Sequence, residues 1–180
     1  MESALVQAAL ACGAYKAEII PQDAIRLDES FRASCRQNSC GRYGRCWMCP
    51  PDIGEIHALM TAVGRWPKAM LYQTIGVLED SYDVEGMAGA ASAHAQVSQK
   101  IQERAKALMG DRFLHLTCGG CHLCPACAKG EGLPCRYPDR ALPSLEGYGV
   151  DVYRTSQATH LKYINGANTV TYFGMVLFGA

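Results

Sequence analysis

Ten cysteines stand in this 180-residue chain, and nine of them fall in two short stretches, Cys35 to Cys49 and Cys118 to Cys135. The second stretch reads Cys118, Gly119, Gly120, Cys121, His122, Leu123, Cys124, Pro125, Ala126, Cys127, with Cys135 after seven intervening residues. Cysteines at intervals of three wrap a loop so that each sulfur meets a different iron of a cubane, while backbone N–H groups face inorganic sulfide. Structural zinc usually takes two well-separated pairs, so the spacing favours a [4Fe-4S] cluster on Cys121, Cys124, Cys127 and Cys135 and leaves zinc as the lesser alternative.

The first stretch carries Cys35, Cys40, Cys46 and Cys49, with Gly41, Gly44 and Pro50-Pro51 supplying bends. Its four sulfurs suit a second [4Fe-4S] cluster, although Cys46-Trp47-Met48-Cys49 alone also fits a redox pair or half a zinc site. Crossed ligation between the loops is open, because in two-cluster ferredoxins the cysteine before a proline serves the other cluster, and Cys49 precedes Pro50. Cys12 reads as a small buried apolar residue, and Cys118 as a spare thiol beside the cluster. His122 reads as an imidazole near the ligands, and Trp47 as a shield against water.

Composition narrows the class. Apolar residues make up 49% and charged residues 19%, which suits a folded globular chain. Lys plus Arg equals Asp plus Glu at 17 each, so no basic footprint for nucleic acid is expected. No apolar run spans a bilayer. The apolar stretch Ser3 to Cys12 has no Lys or Arg before it and reads as a short amphipathic helix rather than a leader. Thiols in such number suggest the reducing cytoplasm and metal rather than disulfides.

The elements that must position these loops follow from periodicity. A strand is expected near Glu18 to Ile20, a helical pattern from Pro21 through Phe31 toward Cys35, and a helix from Ile53 to about Val63 capped by Asp52. Ala69 to Val77 reads as a strand, about Met87 to Met109 as a long helix, and Phe113 to Thr117 as a strand, which together form a βαβ unit. Leu142 to Tyr148 and Val152 to Leu161 look helical, Asn165-Gly166 looks like a turn, and Thr169 to Phe178 a closing strand. The expected architecture is α/β, a single compact domain over residues 1–180 with a small mixed sheet, a βαβ unit and two cysteine-rich metal-binding loops.

The chain also resembles a prokaryotic family of predicted metal-binding proteins, domain of unknown function 2284. The likeness covers most of the chain and rests on Tyr43-Gly44-Arg45-Cys46 leading to Cys49-Pro50-Pro51, on Cys121-His122-Leu123-Cys124 with Cys127, and on Pro134-Cys135-Arg136-Tyr137-Pro138. It continues through Pro143-Ser144-Leu145-Glu146-Gly147-Tyr148-Gly149-Val150-Asp151-Val152 and Asn165-Gly166-Ala167-Asn168-Thr169-Val170-Thr171-Tyr172. The resemblance implies metal binding and calls for neither Cys12 nor Cys118. The expected role is electron transfer or accessory redox work with a redox partner protein. The alternatives are an iron–sulfur enzyme with an open iron site for a small substrate, and a structural zinc module for protein contacts.

Overall fold

The computed structural model describes residues 1–179. Two ten-residue strands form its centre, β2 (Lys68–Val77) and β4 (Thr169–Phe178), paired antiparallel from Lys68 opposite Phe178 to Val77 opposite Thr169. Strand β1 (Lys16–Pro21) flanks β2 and β3 (Phe113–Thr117) flanks β4, giving the order β1-β2-β4-β3. Consecutive residues are buried in both central strands, which requires cover on both sheet faces.

One face is covered by α1 (Glu2–Ala11) and the 26-residue α4 (Val84–Met109), whose Leu5, Ala9, Ile101, Ala105 and Met109 pack on Met70, Tyr72, Val176 and Phe178. The other face, with Leu71, Phe173, Met175 and Leu177, meets Val63 of α3 (Ile56–Gly64) and Leu145, Val150 and Leu161 of the later loops. The remaining helices, α2 (Phe31–Gln37) and α5 (Val152–Ser156), are short. No described helix is long and apolar enough to cross a membrane.

The α/β architecture matches expectation, but the sheet is antiparallel at every pairing rather than mixed. Helix α4 does connect β2 to β3, and these run in the same direction, yet β4 lies between them. The place suits β4 because its half from Phe173 to Phe178 is apolar on both faces and belongs in the interior. Gly174 opens room there: a Cβ on it would fall 2.1 Å from the ring of Tyr72 on β2.

Local patterns explain the other departures. In place of a helix over residues 21–31 there is one 3-10 turn, Gln22–Ala24, then an extended stretch through Asp28, because Leu27 bridges to Val150 and the Asp28 amide donates to the Gly149 carbonyl, and α2 begins only at Phe31. Only Glu146–Tyr148 turns within the expected helix at 142–148, since Ser144 pairs instead with Thr117. Helix α5 ends at Ser156, short of Leu161. Asp52 does not cap α3; its carboxylate is engaged by Lys129, and Glu55 holds the cap position. Helix α4 begins earlier than expected because Asp83 caps it, accepting from the Gly86 amide at 2.7 Å.

A buried polar chain ties α4 to the sheet. Tyr72 Oη lies 2.7 Å from Ser98 Oγ and 2.8 Å from His115 Nε2, and His115 Nδ1 lies 2.9 Å from Gln102 Oε1. His94 joins Thr74 at 2.8 Å and Thr117 at 3.1 Å. Burial holds His94 down to about 4 and His115 down to about 3, so both are neutral near pH 7.

An unfolded histidine titrates near about 6.5, so the unfolded chain binds more protons than the folded one as pH falls below that value. The metal-free chain is therefore expected to keep this part of its stability above about pH 6.5 and lose it progressively toward pH 4 and 3, by a few kcal/mol per histidine as an order of magnitude. Urea melts across this range should show the loss, and the His94→Gln, His115→Gln double variant should flatten the slope. An unchanged slope in that variant would assign the acid sensitivity to other groups.

Candidate metal centre

Neither cysteine loop has a core of its own, so each takes its shape from the ends of regular elements and from polar clamps. Helix α2 carries Cys35 and stops at Asn38, which adopts a left-handed conformation, while the Asn38 side chain accepts from the Tyr43 amide at 2.9 Å. The Gly44 amide then donates to the Pro50 carbonyl at 2.9 Å, closing the first loop on itself. The second loop leaves the end of β3, where the Thr117 amide donates to Pro143, the Thr117 carbonyl accepts from Leu145, and the Cys118 amide donates to Phe173.

Three side-chain clamps join the loops. Arg42 donates to the Cys121 carbonyl at 2.9 Å and lies 3.2 Å from His122 Nδ1. Trp47 Nε1 donates to the Leu133 carbonyl at 2.9 Å. The Lys129 ammonium sits 4.0 Å over the Trp47 ring and also pairs with Asp52, so one cation couples an aromatic of the first loop and a carboxylate just beyond it to the second.

All ten cysteines are free thiols, and eight of them line two neighbouring cavities. The larger, about 540 Å³, is lined by Cys121, Cys124, Cys127 and Cys135 from the second loop and by Cys46 from the first. The smaller, about 340 Å³, is lined by Cys35, Cys40 and Cys49, with Glu146 and Ser144 on its wall. Arg42 lines both. The first loop is thus divided: Cys46 and Cys49 share a thiol hydrogen bond yet border different cavities.

Among the described residues no three His, Cys, Asp or Glu side chains gather closely enough to hold a single metal ion. The thiols instead surround volumes. Zinc draws four thiolates to about 2.3 Å from one point, whereas a cubane spreads its ligands over separate irons. The donor set, eight thiols with one carboxylate, suits a thiophilic metal or cluster.

The protonation of the thiols follows from burial and neighbours. The hydrogen bond from the Cys49 thiol holds Cys46 below the ordinary thiol range, and the same bond with burial holds Cys49 above it. Burial raises Cys35 and Cys121. Cys118 borders neither thiol-lined cavity, packs against the core, and is pushed by burial up to about 12, so it stays protonated and is a structural thiol. Cys12 packs beside α1 and α4. His122 is lowered by burial and by the Arg42 guanidinium, which makes it a neutral partner of that clamp.

Arg42, Glu146, Lys129 and Asp52 are parts of the site that the cysteine spacing does not single out. The signal for Arg42 was its place between Gly41 and Gly44, and for Glu146 its place in the run from Pro143 to Gly147. Gly120 matters for shape: at φ +81°, a Cβ there would approach Cys49 Sγ to 2.9 Å. Gly41 has φ +70° and open space around it. Gly120→Ala is expected to cost the metal-free chain more than Gly41→Ala, which should lose only the backbone preference of about 1–2 kcal/mol. Denaturant melts of both variants test this, and equal losses would show that the contact with Cys49 relaxes freely.

No curated protein and no solved structure matches this chain. A family does: the one described as predicted metal-binding protein (DUF2284) matches residues 18–178, from β1 through the last residue of β4 and across both thiol-lined cavities. With nearly the whole chain matched and its thiols gathered in this way, the chain belongs to the DUF2284 family of predicted metal-binding proteins.

Proposed function

We propose that the chain works as a single iron–sulfur domain holding two [4Fe-4S] clusters side by side, and that it passes electrons between protein partners. The carrying observation is the gathering of eight uncrosslinked thiols around two adjoining cavities. Cys121, Cys124, Cys127 and Cys135 would hold the cluster of the larger cavity, and Cys35, Cys40 and Cys49 three irons of the other. Bound there, such clusters supply reversible one-electron chemistry.

The surrounding residues suit that role. Arg42 places a permanent cation between the two cavities, where it offsets the negative charge that a thiolate-ligated core brings, about −2 each. Trp47 covers one side of the larger cavity and limits water there, which tunes a reduction potential. Cys46 borders one cavity and Cys49, on the same turn, borders the other, so electrons would cross a short distance inside the protein.

Anaerobically purified or reconstituted protein is expected to contain about eight irons and eight sulfides per chain and to show reversible redox couples. A colourless protein with zinc, or clusters without a reversible couple, would refute this role. Cys46 adds a fifth thiol to the larger cavity. Cys46→Ala should keep about eight irons per chain, because the four other thiols there complete a ligand set. Loss of about four irons in that variant would instead make Cys46 a ligand.

A further inference from the structure

The smaller cavity holds only three thiols, whereas each of a cubane's four irons needs an outer ligand. Of the remaining nearby cysteines, Cys46 lines the larger cavity and Cys118 packs against the core. Glu146 does line the smaller cavity, and no other Asp, Glu or His shares its wall. Among the described residues no Lys, Arg or His forms an ion pair with the Glu146 carboxylate.

The backbone around Glu146 is held to the same framework as the thiols. Arg32, buried at 6% exposure, sits one helical turn before Cys35 on α2. One of its nitrogens donates to the Gly147 carbonyl at 3.2 Å, and another to the Gly54 carbonyl at 2.8 Å, just beyond Cys49-Pro50-Pro51. A single guanidinium thus relates the segments bearing Cys35, Cys49 and Glu146. The Gly147 amide also donates to Ser144 Oγ at 3.0 Å, and a Cβ on Gly147 would meet Ile53 and Ser144 at 2.7 Å each. The turn that presents Glu146 has little room to shift.

We propose that Glu146 is the fourth ligand of the smaller cavity, so that Cys35, Cys40, Cys49 and one carboxylate hold a cluster with a chemically distinct iron. The inference rests on the two-cluster reading above. A carboxylate oxygen is a harder donor than a thiolate and less suited to an iron–sulfur core. The iron it holds is the one that leaves under an oxidant, and the one at which a small anion can replace the carboxylate. Arg42, on the same wall, meets the charge of such an anion.

Electron paramagnetic resonance and iron counts on the reconstituted full chain test the assignment. Ferricyanide should take one electron from the core as one Fe²⁺ leaves, converting [4Fe-4S]²⁺ to [3Fe-4S]⁺ and releasing about one iron of about eight per chain. Cyanide should shift the spectrum of the reduced protein. Glu146→Cys should retain all its iron under ferricyanide and ignore cyanide, while the near-isosteric Glu146→Gln should lose that iron without oxidant. Near-UV circular dichroism of the metal-free variants checks that both fold.

A wild-type protein with about eight irons that resists both reagents would overturn the Glu146 assignment and leave the two clusters standing. Equal lability in wild type and Glu146→Cys would overturn it as well, by placing the labile iron elsewhere. Fewer than about eight irons, undiminished by Cys49→Ala, would overturn the second cluster and this inference together.

Discussion

The constraint that shapes this molecule is that eight thiols must border two hollows without closing on one another, in loops that have no apolar core to stiffen them. Hydrophobic burial cannot set such a geometry, because it is non-directional. Directional bonds do it here: Arg32 ties α2 to the Gly54 and Gly147 carbonyls, Arg42 ties the first loop to Cys121, and Thr117 is fixed on both sides by Pro143 and Leu145. Each bond adds only about 1–3 kcal/mol, but each leaves a buried group unpaired if broken, and that penalty makes the arrangement specific.

The sheet supplies the rigid reference against which those bonds act. Its centre is covered on both faces, and the polar chain from Gln102 through His115, Tyr72 and Ser98 to Thr117 fixes α4 against β2 and β3. Thr117 ends that chain and begins the path to the second loop, so the last ordered position before Cys118 is held by backbone and side chain together. A buried network of this kind costs desolvation, and what it returns is a unique position for one residue.

Much of this was legible from local pattern. Strands β3 and β4 keep the bounds that their alternation and turn signals predict, and eight of the nine cysteines of the two loops line the two cavities. Sheet order was not legible, because the pairing of β4 between β2 and β3 depends on contacts far apart in sequence and on the fit of Tyr72 over Gly174. Residues 21–31 and 142–148 have helix-like apolar spacing, yet Leu27 bridges to Val150 and Ser144 to Thr117, and long-range pairs override the local pattern. Spacing also could not tell that Cys46 and Cys49, on one tight turn, border different cavities. Glu146 lies too far from either cysteine loop for spacing to join it to one.

The division of thiols has a chemical consequence that equal numbers would not. Five thiols on one cavity and three with a carboxylate on the other give the two sites different donor softness, although they share Arg42. A softer, all-thiolate ligand set favours retention of a cluster through redox cycles, and a carboxylate in the set favours exchange at one iron. In the proposed reading, one cavity would store and pass electrons while the other brings an exchangeable position within reach of them. The short Cys46–Cys49 turn between the two is what makes that coupling available to so small a chain.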